Sequence, residues 1–315
     1  MFATYSRRLL LVLMLAGIGN LYAAEVDSPA VALAQPQGAP LVAVARAGQR
    51  LIAIGDHGVV VISDDGKTWH QARKVPVDGL LTALSFIDGR EGWAVGHGGV
   101  LLHTVDSGET WSLQQRLPDH PVLLSVWFEN SDHGLVVGAY GYAAETRDGG
   151  QSWHRFKVGG EGEDYHLNHI FAGSNGGLFI AAEGGHAYRS LDHGASWEKL
   201  NPGVSGSLWS GLSLHDGRLL LVGMTGRVLV SGDQGNSWRE LDSGSREAIT
   251  ALAQLADGRV ALVGNGGLMA VSDTAVEHFT ASVREDRLSL ADLIPLTDGH
   301  LLLFGPVGVL QQAVK

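Results

Sequence analysis

The 315-residue sequence has no cysteine, which excludes disulfides, thiolate catalysis and cysteine metal sites. Proline is sparse at 9 residues, and charged residues make up only 17%. Basic residues are in deficit, with 22 Lys and Arg against 33 Asp and Glu and a net charge of −11. That balance argues against nucleic acid or an anionic membrane surface as a partner, because both require basic surface. No Gly-x-x-x-x-Gly-Lys-Ser/Thr run occurs, which removes a nucleotide P-loop. Beyond residue 24, no apolar run is long enough to cross a bilayer as a helix.

Glycine is abundant, with 44 residues, and hydrophobic residues make up 45%. The glycine share is about twice the usual 7% and punctuates short apolar runs, which marks tight turns and not disorder. The first residues read as an export signal. Arg7 and Arg8 precede an apolar stretch over 9–19, and Ala23 and Ala24 offer a small-residue cleavage site. The expected division is a signal peptide at 1–24 and a single domain at 25–315; retention as an uncleaved anchor is the alternative. Cleavage leaves 20 basic against 33 acidic residues, a net charge of −13.

Internal repeats dominate the rest of the chain. Thr104-Val-Asp-Ser-Gly-Glu-Thr-Trp111 recurs at Thr146–Trp153, Ser190–Trp197 and Ser231–Trp238. A variant copy is Ile62-Ser-Asp-Asp-Gly-Lys-Thr-Trp69, in which Asp64 is read as the repeat aspartate and the leading hydroxyl as lost. The repeat positions are therefore Asp64, Asp106, Asp148, Asp192 and Asp233 with Trp69, Trp111, Trp153, Trp197 and Trp238. A sixth copy keeps Asp273 and loses the glycine. Nine or ten residues before each aspartate stands a Gly-x-x-Gly pair: 55/58, 96/99, 138/141, 223/226 and 264/267, with Ala182 replacing the first glycine at 182/185. A seventh pair is Gly305 and Gly308.

Each unit reads as strand, turn, strand, Gly-x-x-Gly turn, strand, aspartate turn, strand. Four strands repeating at about 40 residues form a propeller blade rather than one coil of an open solenoid. The expected fold is an all-β, seven-bladed β-propeller with Asp-box turns. The aspartate caps its own turn, glycine supplies a positive φ, and tryptophan brings a large apolar area to the blade edge, so these residues are structural. The seventh copy ends after its third strand, and residues 30–34 are expected to supply the missing outer strand and close the ring.

The run Gly92-Trp-Ala-Val-Gly-His-Gly-Gly-Val100, followed by its aspartate turn, resembles the photosystem II stability and assembly factor propellers of cyanobacteria and chloroplasts. The resemblance covers residues 40–315. It implies a propeller without catalytic activity or cofactor that binds a newly made membrane protein, partly through an Arg-rich surface. This chain has no evident Arg cluster. Similar members in non-photosynthetic bacteria look like exported, periplasmic accessory proteins, which implies an envelope membrane protein, such as a transporter, as partner.

The aspartate repeat is also similar to bacterial-neuraminidase-type repeats, so a carbohydrate-binding protein or glycoside hydrolase is the alternative reading. A sialidase would carry Arg-Ile-Pro, which does not occur, and an arginine triad, which is not recognisable. Asp56, Glu91, Glu161, Glu163, Asp164 and Glu183 lie outside the repeats, but their spacing pairs none of them for glycoside chemistry. Of 14 histidines, only His166-Leu-Asn-His169 has local spacing, and strand residues three apart face opposite ways, so no metal is expected. The Gly-x-x-Gly turns ring one mouth of the channel, opposite the aspartate turns, and their central residues are free to carry recognition. The candidate partner-binding residues are Asp56, His57, His97, Tyr140 and Glu183 on these turns. Tyr165, His166 and Trp209 join them from the connections before blades four and five.

Overall fold

The structure is a computed structural model that describes residues 28–314. The predicted signal segment at 1–24 lies outside the described residues. Seven antiparallel sheets form in sequence order, six with four strands and the last with three. This is a seven-bladed, all-β propeller. Blade one, for example, comprises Leu41–Ala47, Arg50–Gly55, Val60–Ser63 and His70–Gln71, from channel to rim.

Burial follows from the stacking of blades. The second strand of each blade is covered on both faces by its neighbours, so it needs apolar residues at every position; Ile52, Ala53 and Ile54 are all 0% exposed. The core is accordingly divided into seven apolar clusters, one per seam between adjacent blades. Each Trp of an aspartate turn enters the seam with the preceding blade. Trp111 lies between blades one and two, Trp153 between two and three, Trp197 between three and four, and Trp238 between four and five. Trp69 reaches back to blade seven, edge-on to Phe304 at 6.0 Å.

The aspartate turns hold themselves together. Asp148 accepts the Ser152 N–H at 2.8 Å and the hydroxyls of Thr146 at 2.8 Å and Ser152 at 2.6 Å. Such bonds hold the carboxyls of Asp148, Asp192 and Asp233 at a pKa of about 2. Blade one departs from the sequence reading. Asp65, not Asp64, accepts the Thr68 N–H at 2.7 Å, and Ser63 is the leading hydroxyl. This turn is one residue shorter than the others. Asp64 points outward and pairs with Arg50 at 2.7 Å.

Closure also differs from expectation. Residues 30–34 form no strand of blade seven. The Ala30 N–H donates to Val75 O at 3.0 Å, and Gln71 brackets Val31 and Leu33 through two bonds of 2.9 Å, so this stretch lies along blade one. The 3-10 turn Pro36–Gly38 then abuts the last strand, Gly308–Ala313, at Gly308. A Pro-containing turn cannot continue a ladder, so the chain clasps the seam between blades seven and one instead of completing the sheet.

Candidate functional site

The Gly-x-x-Gly turns are built on the connections between blades. In six of the seven turns the first N–H inside the turn donates to the connection entering that blade, as from Asp56 to Pro40 O, His97 to Leu80 O, Ala139 to Val122 O and Glu183 to His166 O, at 2.9–3.3 Å. Turns and connections therefore share one face, as expected from the sequence. Gly55 is required because a Cβ there would stand 1.9 Å from Pro40 O, and Gly58 because its φ is +65°.

The central position is less free than the sequence suggests. It is left-handed in six turns. Glycine occupies it in three (Gly98, Gly184 and Gly266), and His57, Tyr140 and Thr225 occupy it in the others, at φ of 53°, 54° and 60°. A non-glycine residue there stores about 1–2 kcal/mol of strain, and such strain concentrates at binding sites. Tyr140 is also 74% exposed, and Met224 and Val307, on the turns of blades five and seven, are exposed apolar residues.

Four predicted site residues meet between blades three and four. The Tyr140 N–H donates to His166 Nδ1 at 3.1 Å, and the rings meet edge-on at 4.8 Å. The His166 N–H donates to Glu183 Oε2 at 3.1 Å. Tyr165 stands beside His186 with ring centroids 4.1 Å apart. Beneath them is a cavity of about 120 Å³ lined by Tyr140, Arg155, Glu163, Tyr165 and Tyr188.

Lys199 organises this floor and was missed by sequence reasoning. It arrives from the rim strand Glu198–Leu200, where residue spacing carries no signal of the contact. Its Nζ lies 2.6 Å from Glu163 Oε1 and 5.4 Å from the Tyr165 ring. The Lys199 hydrogen bond holds the Glu163 carboxyl below its usual range despite partial desolvation. The Tyr188 hydroxyl donates to the same carboxylate at 3.1 Å; burial, reinforced by that charge, pushes its pKa up. Burial, with help from Lys199, lowers the pKa of His186.

The remaining predicted residues stay apart from this cluster. Asp56 and His57 border a groove of about 620 Å³ on blade one, with Val31 and Leu33 on its other wall. His97 is exposed on blade two. Trp209 belongs to the inner strand Leu208–Ser213 of blade five and is half-buried, not displayed on a connection. His169, in the inner strand Leu167–Ala172, accepts the Gly211 N–H at 3.2 Å through Nδ1, and burial pulls its pKa down to about 4. It serves the seam; among the described residues no group of three or more His, Asp and Glu suited to a metal ion occurs. Among them, too, no helix is long and apolar enough to cross a membrane.

No curated protein matches the chain by sequence. Solved structures match the fold. The structure of YCF48 bound to D1 peptide aligns with a TM-score of 0.71 at 20% identity, over 94% of this chain and 100% of that one. YCF48 from Cyanidioschyzon merolae aligns at 0.69 and 18% identity, over 87% and 95%. A streptogramin B lyase structure aligns at 0.75 with 12% identity, over 89% and 95%, so the same fold also carries enzymes. The family model described as photosynthesis system II assembly factor YCF48 matches residues 42–127 and 114–284, and this chain belongs to that family.

Proposed function

We propose that the chain is a non-catalytic, exported propeller, with a signal peptide at 1–24, that binds a segment of an envelope membrane protein as an assembly or accessory factor. A transport system is the partner class the reading favours. Family membership supports the assembly role, and a member of that family is seen with a D1 peptide. The observation that carries the reading is Tyr140, a strained and 74% exposed aromatic beside Tyr165, His166 and Glu183. Exposed aromatics held on a rigid scaffold are suited to anchoring a partner side chain. Glu183, which accepts the His166 N–H, and Asp164, which lies against Gly141 of the Tyr140 turn, add negative charge beside them, which favours a partner segment carrying Lys or Arg.

The test is affinity capture of the exported protein from crosslinked cells, comparing the natural chain with the Tyr140→Ala, Tyr165→Ala, Glu183→Ala triple variant. Capture of a membrane protein should fall at least about fivefold in the variant while its Tm stays within a few degrees. Equal capture sinks the site, and turnover of aryl-glycosides sinks the non-catalytic reading.

A further inference from the structure

The stretch 31–35 keeps apolar side chains exposed although its backbone is tied to blade one. Gln71 holds Val31 O and the Leu33 N–H at 2.9 Å, and the Ala30 N–H reaches Val75 O at 3.0 Å. Val31 is nonetheless 67% exposed and Leu33 40% exposed. Both line the groove of about 620 Å³ on the turn face of blade one, together with Ala34, Ala39, Pro40 and Val59. That volume falls within the range of about 300–1,000 Å³ common to small-ligand sites. The walls are built before any ligand arrives. Pro36 is buried, and the Gly38 and Ala39 N–H groups close their turn on Gln35 O and Pro36 O at 3.1 and 3.2 Å. A ligand need not order them, which lowers the cost of binding.

The ionisable groups at the groove are Asp56, Asp78 and His57, and among the described residues no Lys or Arg lines it. The Gly58 N–H donates to Gly79 O at 2.9 Å, which ties the turn carrying Asp56 to the connection carrying Asp78. Asp78 is exposed and has no hydrogen bond or ion pair among the described residues. Asp56 spends Oδ1 on the His57 N–H at 2.9 Å. Its Oδ2 stands 3.6 Å from His57 Nε2, beyond hydrogen-bond distance. One oxygen of Asp56 and both of Asp78 are thus available to a ligand.

We propose that this groove is a site for a small organic cation, an ammonium group carried on an apolar body. The body lies on the exposed aliphatic side chains, and the ammonium faces Asp56 and Asp78. Charge complementarity selects the head, since two carboxylates with no Lys or Arg beside them attract a cation and repel an anion. The aliphatic wall selects the body, because contact takes its apolar surface out of water. Recognition runs through side chains. Gln71 already occupies Val31 O and the Leu33 N–H, so the stretch offers little backbone for pairing with a peptide strand. A small molecule is therefore the occupant favoured over a partner segment. The site is separate from the Tyr140 cluster and does not depend on it.

The probe is phenylpropylamine, titrated calorimetrically into the full chain. Phenylpropanol and phenylbutyrate carry a hydroxyl and a carboxylate on the same body. The amine should bind at least about fivefold more tightly than the alcohol and about twentyfold more tightly than the acid. Propylamine, which lacks the ring, should bind at least about tenfold more weakly than phenylpropylamine. The Asp56→Asn, Asp78→Asn double variant should weaken the amine about tenfold and leave the alcohol within about twofold, since an amide at 56 still accepts the His57 N–H. Val31→Ser with Leu33→Ser should weaken amine and alcohol alike. Absence of amine binding at about 10 mM, one affinity for all three head groups, or an unchanged affinity in the double Asp variant overturns the proposal. A groove already filled by residues 1–27 or by a second copy admits no amine, so either occupant registers as that negative result. An acetylated and amidated Ala-Leu-Lys-Leu-Ala peptide binding about tenfold more tightly than the amine would assign the groove to a partner segment and also overturn it. Should a variant unfold, the head-group series on the natural chain still decides.

Discussion

The Asp292 carboxylate accepts the Val44 N–H at 2.9 Å and so ties the inner strand of the last blade to that of the first. Related bonds staple other inner strands. The Thr82 hydroxyl donates to Leu123 O at 2.7 Å, Asn168 Nδ2 to Leu208 O at 2.8 Å, and the Thr250 hydroxyl to Leu290 O at 2.7 Å. Asp292 is the only titratable side chain among these four. Burial raises its pKa from 3.8 to about 7, although the Val44 and Leu293 N–H groups oppose the shift.

A raised folded-state pKa in an acid means that the folded protein holds a proton the unfolded chain releases. Asp292 therefore disfavours folding progressively as pH rises from about 4 to about 7, and the effect levels off above that. Asp292→Asn keeps one acceptor for Val44 and removes the charge. Its Tm relative to the natural chain should climb by a few degrees across that range and then stay constant, as thermal melts at stepped pH would show.

His169 has the opposite sign. Its pKa is lowered from 6.5 to about 4, so the unfolded chain binds a proton that the folded protein refuses. Stability from this residue is complete above about pH 6.5 and is lost as pH falls toward 4. His169→Asn should flatten the acid limb of the stability curve. Because Asp292 and His169 oppose one another over much of the same window, melts of the two single variants are needed to separate them.

The correction in blade one is testable by comparing two neighbouring aspartates. Asp65→Ala removes the acceptor of Lys67, Thr68 and Ser63 and should lower Tm clearly. Asp64→Ala removes one exposed partner of Arg50, which keeps Glu109 at 2.9 Å, and should shift Tm by about a degree at most.

Tyr140 separates stability from binding. Tyr140→Gly relieves a left-handed conformation and should raise stability by up to about 1 kcal/mol in chemical denaturation. The same change should weaken capture of the partner. A loss of stability would mean that the edge-on contact with His166 outweighs the strain.

Much of the fold was legible in the sequence because propeller turns are local. Gly55 is demanded by a backbone carbonyl that recurs at the equivalent glycine of five other blades, and the repeated aspartates bond within their own turns, so both recur at readable spacing. The ambiguity at Asp64 and Asp65 arose from a deletion inside one such turn, which only the hydrogen bonds resolve. In the candidate site, Tyr140, Tyr165, His166 and Glu183 were found because turn and connection share a face. Lys199 was not, because it enters from a rim strand, and Trp209 was misplaced by the position of a strand boundary.

By itself the sequence determined the blade count, the order of strands and the face on which the turns cluster, since each depends on residues close together in the chain. Tertiary structure alone decided how the ring closes. That depends on where the residues before blade one pack: Pro36–Gly38 settles against Gly308, while Gln71 holds the preceding stretch to blade one. Among the described residues the last sheet has three strands, for strand pairing is a relation between distant segments and no local pattern encodes it.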